Sequence, residues 1–78
     1  MTHKAIRYSD HAAKMLRTRR ISRADVRWII AQGVRERADT RGGEQRWRVS
    51  AKIGKRELYV VYIERSNELV VVTVAEQH

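Results

Sequence analysis

The spacing of apolar residues changes once along this 78-residue chain, and that change constrains the fold more than any other feature. Before Gly33, apolar residues recur at intervals of three and four, which is the period of an amphipathic helix. After Gly33, they alternate with polar residues, which is the period of a strand buried on one side. The sequence therefore predicts two helices followed by a sheet.

The first helix is expected to begin after Ser9 and to end near Arg19. Serine is a favoured N-cap because its side chain accepts a hydrogen bond from the first turn. Asp10 follows at the first helical position, where a negative charge suits the helix dipole. The predicted buried stripe of this helix consists of Ala12, Met15 and Leu16.

The second helix is predicted to begin after Ser22. Asp25 stands three residues further on, which is a version of the capping box. Gly33 stands where a helix commonly ends with a glycine in the left-handed conformation. The predicted buried stripe of this helix consists of Val26, Ile29 and Ile30, and Trp28 falls outside that stripe.

Strands and turns alternate after Gly33. Turns are predicted at residues 41–44, at Gly54-Lys55 and at residues 65–68; glycine at the first central position of a two-residue turn is typical of a β-hairpin. The strands cover residues 34–39, 46–53, 56–64 and 69–75, and residues 3–8 are a candidate N-terminal edge strand. The predicted fold is α+β, a single domain over residues 1–78 with two N-terminal helices on one face of an antiparallel sheet of about four strands.

The two-residue turn also predicts how its strands pair. If Ile53 lies opposite Arg56, then Trp47 lies opposite Tyr62. One face of this hairpin is then apolar and suits the helices, with Trp47 in the core. The opposite face carries Arg46, Arg48, Ser50, Lys52, Glu57, Tyr59, Val61 and Ile63.

The last strand is apolar on both of its predicted sides. Val70, Val72 and Val74 alternate there with Leu69, Val71 and Thr73. Two helices on one face leave the other face uncovered, so part of this surface is expected to meet a partner or a second copy of the chain. A homodimer through the exposed sheet surface is one expected assembly.

The chain is strongly basic. Seventeen Lys and Arg stand against nine Asp and Glu, a formal net charge of +8. Arginine predominates, and its guanidinium group both pairs with phosphate and stacks on bases, so RNA or another nucleic acid is the expected partner. The alternatives are a solvated surface or a docking face for an acidic protein.

The composition also narrows the setting. The chain has no cysteine, which excludes disulfides and thiolate zinc sites, so a reducing cytoplasm is the expected location. No signal peptide is recognised in residues 1–8, and the longest apolar run, residues 69–75, is too short to span a bilayer, so no membrane association is expected. No phosphate-binding loop, nucleophile elbow or metal-ligand spacing occurs, so no cofactor and no metal are predicted.

Several short motifs resemble those of a small prokaryotic family. They are YSDHA at residues 8–12, Arg19, Ile21-Ser22, Val26, GKREL at residues 54–58 and VVTV at residues 71–74. In these motifs the chain resembles a domain-of-unknown-function family that looks akin to the RelE/ParE-like toxins, including BrnT-type toxins. The resemblance implies the order β-α-α-β-β-β and the toxin of a toxin–antitoxin pair, most often an endoribonuclease, with an acidic antitoxin as partner. Met15 stands where the family usually has Arg, and Arg20 where it usually has Gly.

RNA can be cut without a metal, by attack of the 2′-hydroxyl on the adjacent phosphate. The reaction needs a group that titrates near neutral pH and cations that stabilise the phosphate. His11 is the natural acid or base; its alternative role is to orient the first helix through the backbone or Asp25. The predicted catalytic residues are His11, Arg48, Lys52, Tyr59 and Arg19. The predicted nucleic-acid contacts are Arg35, Arg37, Arg46, Lys55 and Arg56, while His3 and His78 are expected to take no part.

Together with the resemblance, these residues lead to a toxin-like domain that acts on RNA, as a metal-independent endoribonuclease neutralised by an antitoxin. The alternative is a non-catalytic nucleic-acid-binding or protein-interaction module on the same fold, which Met15 favours. A third hypothesis is a ParE-like poison of a DNA-processing enzyme, which would bind protein and cut no RNA.

Overall fold

A computed structural model describes residues 4–38 and 43–77 of the chain. The elements follow one another as β1 (Ala5–Tyr8), α1 (Asp10–Thr18), α2 (Arg23–Gln32), β2 (Val34–Arg37), β3 (Arg46–Ile53), β4 (Arg56–Glu64) and β5 (Glu68–Glu76). The sheet has the strand order β1-β5-β4-β3-β2; β1 runs parallel to β5, and the other neighbours are antiparallel.

The α+β prediction is confirmed, and the candidate edge strand makes the sheet five-stranded. Five predicted features fall wholly or partly outside the described residues. They are His3, His78, the start of the candidate edge strand at residue 3, the end of the predicted strand 34–39, and the start of the predicted turn at residues 41–42.

Both helices begin at the predicted caps. The Ser9 hydroxyl accepts a hydrogen bond from the Ala12 backbone N–H at 3.1 Å. Ser22 accepts from the Asp25 backbone N–H at 3.0 Å, and the Asp25 carboxylate accepts from the Ser22 N–H at 3.2 Å, which completes a capping box. Within the described residues, neither helix is long and apolar enough to cross a membrane.

Gly33 ends α2 in an extended conformation, with φ −76° and ψ 173°, so the predicted left-handed ending is wrong. The chain passes directly from α2 into β2 and needs no left-handed turn there. The position requires space instead, because a Cβ atom would lie 2.6 Å from both the Ile29 carbonyl oxygen and the Val49 Cγ1 atom. Glycine is needed here for close packing of α2 against β3.

A left-handed residue lies between the two helices. Arg20 has φ 53°. The Ile21 N–H donates to the Leu16 carbonyl oxygen at 2.9 Å, and the Arg20 N–H donates to the Arg17 carbonyl oxygen at 3.4 Å, which are the two bonds of a Schellman motif. An arginine thus occupies the position at which glycine would be least strained.

The β3–β4 hairpin has the predicted register throughout, from Ile53 opposite Arg56 to Arg46 opposite Ile63. Its apolar side packs under α2, while α1 packs on β5 and β1. Trp47 lies at the margin of the resulting core as a half-buried side chain. The fully packed core consists of Ala12, Leu16, Ile21, Val26, Ile29, Val49, Leu58, Val60, Tyr62, Val71 and Val74.

β5 contains an irregularity that its alternating pattern did not predict. Opposite two consecutive residues of β4, β5 steps from Thr73 to Val71, so Val72 is an extra residue. A bulge rotates the strand, and Val71 and Val74 both reach the core, each with 0% exposure. The predicted strict alternation along β5 is therefore wrong, because residues of opposite parity share the core side.

Candidate nucleic-acid interface

One face of the sheet carries no helix in the described part of the chain, and we call it the open face. Its residues on β3 and β4 alternate with the core residues Val49, Leu58 and Val60, so they point away from the helices. On these two strands the open face presents Arg46, Arg48, Ser50, Lys52, Glu57, Tyr59, Val61 and Ile63. This is the predicted set, because the hairpin register is the predicted one.

Arg48 stacks on Tyr59 within the open face. The guanidinium carbon lies 4.1 Å from the centroid of the phenol ring. The two residues are diagonal neighbours, since Arg48 is paired with Val61 and Tyr59 is paired with Ser50. Both side chains are half-buried, and the cation–π contact holds the guanidinium group over the ring. A cation and an aromatic ring are thus fixed together on the open face.

The two β3 arginines of the open face have unused hydrogen-bonding capacity. The Nε atoms of Arg46 and Arg48 are buried, and they donate to no group among residues 4–38 and 43–77. A buried donor without an acceptor is unfavourable. Within the described residues, no hydrogen bond fixes either guanidinium group, so their outer N–H groups are available to an anionic ligand.

Lys52 and Glu57 face each other at the hairpin end of the open face. Both are exposed, and they form no ion pair within the described residues. A shallow depression of ≈ 170 Å³ lies beside them and is lined also by Ser50 and Gln77. The Lys52 ammonium group is therefore available to a phosphate that approaches this depression.

His11 and Arg19 lie on the other side of the sheet. His11 is the second residue of α1 and Arg19 is its C-cap, and α1 packs Ala12 and Leu16 against the helix-bearing face. The His11 side chain is exposed and makes no hydrogen bond to Asp25. Of the predicted catalytic residues, the structure therefore brings together Arg48, Lys52 and Tyr59, and it separates His11 and Arg19 from them.

Arg35 and Arg37 flank Trp47 on the helix side of the sheet. Their guanidinium carbons lie 4.1 and 5.9 Å from the Trp47 ring. The indole N–H donates to the Glu64 carboxylate at 3.1 Å, and the Lys4 ammonium group donates to the same carboxylate at 3.0 Å. The hydrogen bond from Lys4 is the main cause that lowers the pKa of Glu64, and the bond from Trp47 adds to it against the opposing effect of burial. This cluster is separate from the open face.

Lys55 and Arg56 lie at the β3–β4 turn and at the start of β4. Lys55 is exposed. The Arg56 guanidinium group is used within the fold, where it donates to the carbonyl oxygens of Arg19 and Arg20 and to the Glu76 carboxylate. A nucleic-acid contact by Arg56 remains a prediction, and it would compete with these bonds.

Three arginines outside the predicted set of catalytic and nucleic-acid-contacting residues line one depression at the corner between α1 and α2. Arg17, Arg20 and Arg23 surround this depression, which has a volume of ≈ 370 Å³. The signal in the sequence was arginine at every third position from 17 to 23, across the end of one helix and the start of the next. We call this site the arginine corner.

Comparison with known proteins identifies a family for this chain. A family model described as "Domain of unknown function (DUF4258)" matches residues 8–76. No curated protein and no solved structure matches the chain. The predicted relationship to RelE/ParE-like toxins therefore stays a prediction.

Proposed function

The chain belongs to the DUF4258 family, a family of unknown function, and we propose that this member acts on single-stranded RNA through the open face of its sheet. The observation that carries the proposal is the Arg48–Tyr59 stack at 4.1 Å on a basic face without a helix. Aromatic rings on an exposed sheet are a common platform for unstacked bases, and guanidinium groups stack on bases as well.

The charges around the stack support a ligand with phosphates. Arg46 lies on the same strand as Arg48, and Lys52 lies four residues further on the same face. Arg46 and Lys52 would contact the phosphates of the RNA backbone. Tyr59 and Arg48 would contact the bases. Single-stranded RNA is favoured over a duplex, because the bases of a duplex are already stacked and are not available to Tyr59.

Metal-independent cleavage of that RNA is the second candidate function, and the juxtaposition of Lys52 and Glu57 favours it. The Glu57 carboxylate would accept the proton of a 2′-hydroxyl as its oxygen attacks the adjacent phosphorus. The bond to the 5′-oxygen would break, and Lys52 would supply the proton that the leaving oxygen takes up. The products would be a 2′,3′-cyclic phosphate and a 5′-hydroxyl. His11 has no part in this scheme, since the sheet separates it from the open face.

The toxin–antitoxin hypothesis belongs with the cleavage candidate. An acidic antitoxin segment would neutralise the cations of the open face, and the half-buried Val61 would provide an apolar contact beside them. A second copy of the chain suits this face less well, because a two-fold axis would bring like charges close together, including those of Arg46 and Arg48. We therefore favour an acidic partner over a homodimer.

Binding is tested by fluorescence anisotropy with a labelled single-stranded RNA of about 12 nucleotides, within the usual footprint of such domains. Tyr59→Leu is expected to weaken binding at least about fivefold, because it removes one base-stacking contact. Arg65→Gln is the control: it lies in the β4–β5 turn, away from the stack. Equal affinity of Tyr59→Leu and the control, with both proteins folded by circular dichroism, would contradict the proposal.

Cleavage is tested on the same RNA, labelled at its 5′ end, in the presence of EDTA. A cyclic-phosphate product that disappears in Lys52→Gln and in Glu57→Gln would support the second candidate. Intact RNA together with salt-sensitive binding would leave the domain a non-catalytic RNA-binding module.

A further inference from the structure

We propose that the arginine corner is a second phosphate-binding site, specific for nucleic-acid backbone and separate from the open face. Its ligand groups are the guanidinium groups of Arg17, Arg20 and Arg23. The site stands on its own geometry and charge, and it rests on the proposed function only for the identification of the nucleic acid as RNA.

The arginine corner is a defined depression. It has a volume of ≈ 370 Å³, and its three charged side chains are all exposed. The remaining lining residues are apolar: Ala13, Leu16 and Ile21. A phosphate oxygen would meet the guanidinium groups at the rim, while a ribose or a base would lie on the apolar floor.

In the described part of the chain, the charges of the corner have no acidic partner. Within residues 4–38 and 43–77, the guanidinium groups of Arg17 and Arg20 form no hydrogen bond and no ion pair. Arg23 lies over the Tyr8 ring at 5.0 Å, which leaves its N–H groups without an anion. Cations that share one depression repel one another, and a bound polyanion would reverse that repulsion.

The backbone of Arg20 adds an independent observation. Its φ of 53° lies in the left-handed region, which is unfavourable for a residue with a side chain. Within the described residues, the Arg20 side chain makes no hydrogen bond and no ion pair that would offset this strain. A strained residue whose charge has no partner in the described part of the chain points to a use outside the fold.

The helix end does not neutralise the corner. The C-terminus of a helix carries a partial negative charge on its last carbonyl groups. Here the carbonyl oxygens of Arg19 and Arg20 accept hydrogen bonds from Arg56, at 2.7 and 3.2 Å. The positive charge of Arg56 thus faces those carbonyls, and the corner remains positive.

Nucleic acid fits this chemistry better than an acidic peptide does. A guanidinium group binds a phosphate with two N–H groups and also stacks on a base. An RNA strand presents both partners together, whereas a peptide of Asp or Glu presents only carboxylates to a site with an apolar floor. Because the corner lies in the helix layer, one strand could reach both sites only by passing around the edge of the sheet.

Arg20→Gly is the decisive variant, because its effects on stability and on binding have opposite signs. Glycine relieves the left-handed strain, so the melting temperature is expected to rise by about 4 °C. The affinity for the labelled single-stranded RNA is expected to fall about fivefold at about 0.1 M salt and to equal that of the unmodified protein near about 1 M. The reason is that each phosphate contact changes the slope of log affinity against log salt concentration by about 0.7, which is about fivefold for each tenfold change in salt. A misfolded variant would not gain stability while it loses affinity.

Arg17→Gln is the second corner variant, and Arg65→Gln, in the β4–β5 turn, is the charge-matched control. Both corner variants weaken RNA binding more than the control does if the site exists. Affinities equal to that of the control would overturn the proposal. Polyglutamate serves as an acidic-peptide probe; if the corner variants weaken its binding and leave RNA binding unchanged, the site is a protein-docking site and the proposal is wrong.

The two proposals can fail separately. Loss of RNA affinity in Tyr59→Leu alone would retain the open face as the RNA site and remove the arginine corner. Loss in Arg17→Gln and Arg20→Gly alone would retain the corner and remove the function proposed for the open face.

Discussion

The Nη2 atom of Arg56, at the start of β4, lies 2.7 Å from the carbonyl oxygen of Arg19, at the end of α1. The same guanidinium group donates to the Arg20 carbonyl oxygen at 3.2 Å and to the Glu76 carboxylate at 2.8 and 3.2 Å. The Arg56 side chain therefore connects the corner between the helices to the start of β4 and the end of β5. The position of the helix layer over the sheet depends in part on this residue.

Arg56→Lys is expected to destabilise the domain by about 1–2 kcal/mol, because an ammonium group cannot make the planar, forked set of bonds that Arg56 makes. Urea unfolding followed by circular dichroism measures the change. Arg65→Lys is the control, since the exposed Arg65 forms longer ion pairs with Glu44 and Glu68, at 3.8 and 3.6 Å; its expected effect is below about 0.5 kcal/mol. Equal effects of the two substitutions would show that the Arg56 bonds add nothing to an ordinary surface pair.

Gly33→Ala is expected to destabilise the domain by about 1–3 kcal/mol, as overpacking in a tight contact does. The new methyl group would lie 2.6 Å from the Ile29 carbonyl oxygen and 2.7 Å from the Ser50 carbonyl oxygen, and backbone atoms do not move aside easily. Gly54→Asn is the comparison, because Gly54 has φ 62° and open space around it, and asparagine tolerates that conformation. A larger loss of unfolding free energy in Gly54→Asn than in Gly33→Ala would contradict the close-packing argument.

Tyr8→Phe is expected to stabilise the domain by about 0.5–1 kcal/mol. The Tyr8 hydroxyl is buried and has no hydrogen-bond partner in the described residues, so its removal ends an unfavourable desolvation. Burial is also the main reason that the pKa of Tyr8 lies above its ordinary value, against the opposing charges of Arg23 and Arg27. The phenyl ring keeps the stacking of Arg23. Thermal unfolding measures the change, and a lower melting temperature in Tyr8→Phe would indicate that the hydroxyl does have a partner.

Glu64→Gln is expected to make stability less dependent on pH. The pKa of Glu64 is lowered in the folded state, chiefly by the hydrogen bond from Lys4, so the unfolded chain binds this proton more readily. The stabilisation is therefore complete above the unfolded pKa of about 4.3 and is lost as the pH falls through the folded pKa. The difference in unfolding free energy between the two proteins should be clear near about pH 7 and should shrink as the pH falls below about 4.3. A difference that stays constant over this range would exclude Glu64 as its source.

Much of the candidate site was predictable from the sequence. The two-residue turn at Gly54 sets the register of β3 against β4, and the parity of a strand then decides which side chains share a face. Arg48, Lys52 and Tyr59 could be assigned to the open face for that reason alone. The caps at Ser9 and Ser22 were predictable because their hydrogen bonds span only three residues.

Other features were not predictable because they depend on contacts between distant parts of the chain. The bulge at Val72 exists because β5 must place both Val71 and Val74 in the core, and an alternating pattern contains no sign of it. The position of Gly33 after a helical pattern predicts a left-handed helix ending. In the structure, glycine is required there because Val49 of β3 leaves no space for a Cβ atom.

The sequence by itself determined the helix starts, the hairpin register and the basic character of one sheet face, because each follows from interactions between near neighbours. Only the tertiary structure decided which cations act together. The packing of α1 on one face of the sheet separates His11 from Tyr59, and the turn between the helices gathers Arg17, Arg20 and Arg23 around one depression. Side chains far apart in sequence are brought together or kept apart by the burial of apolar surface, and that burial is a property of the whole chain.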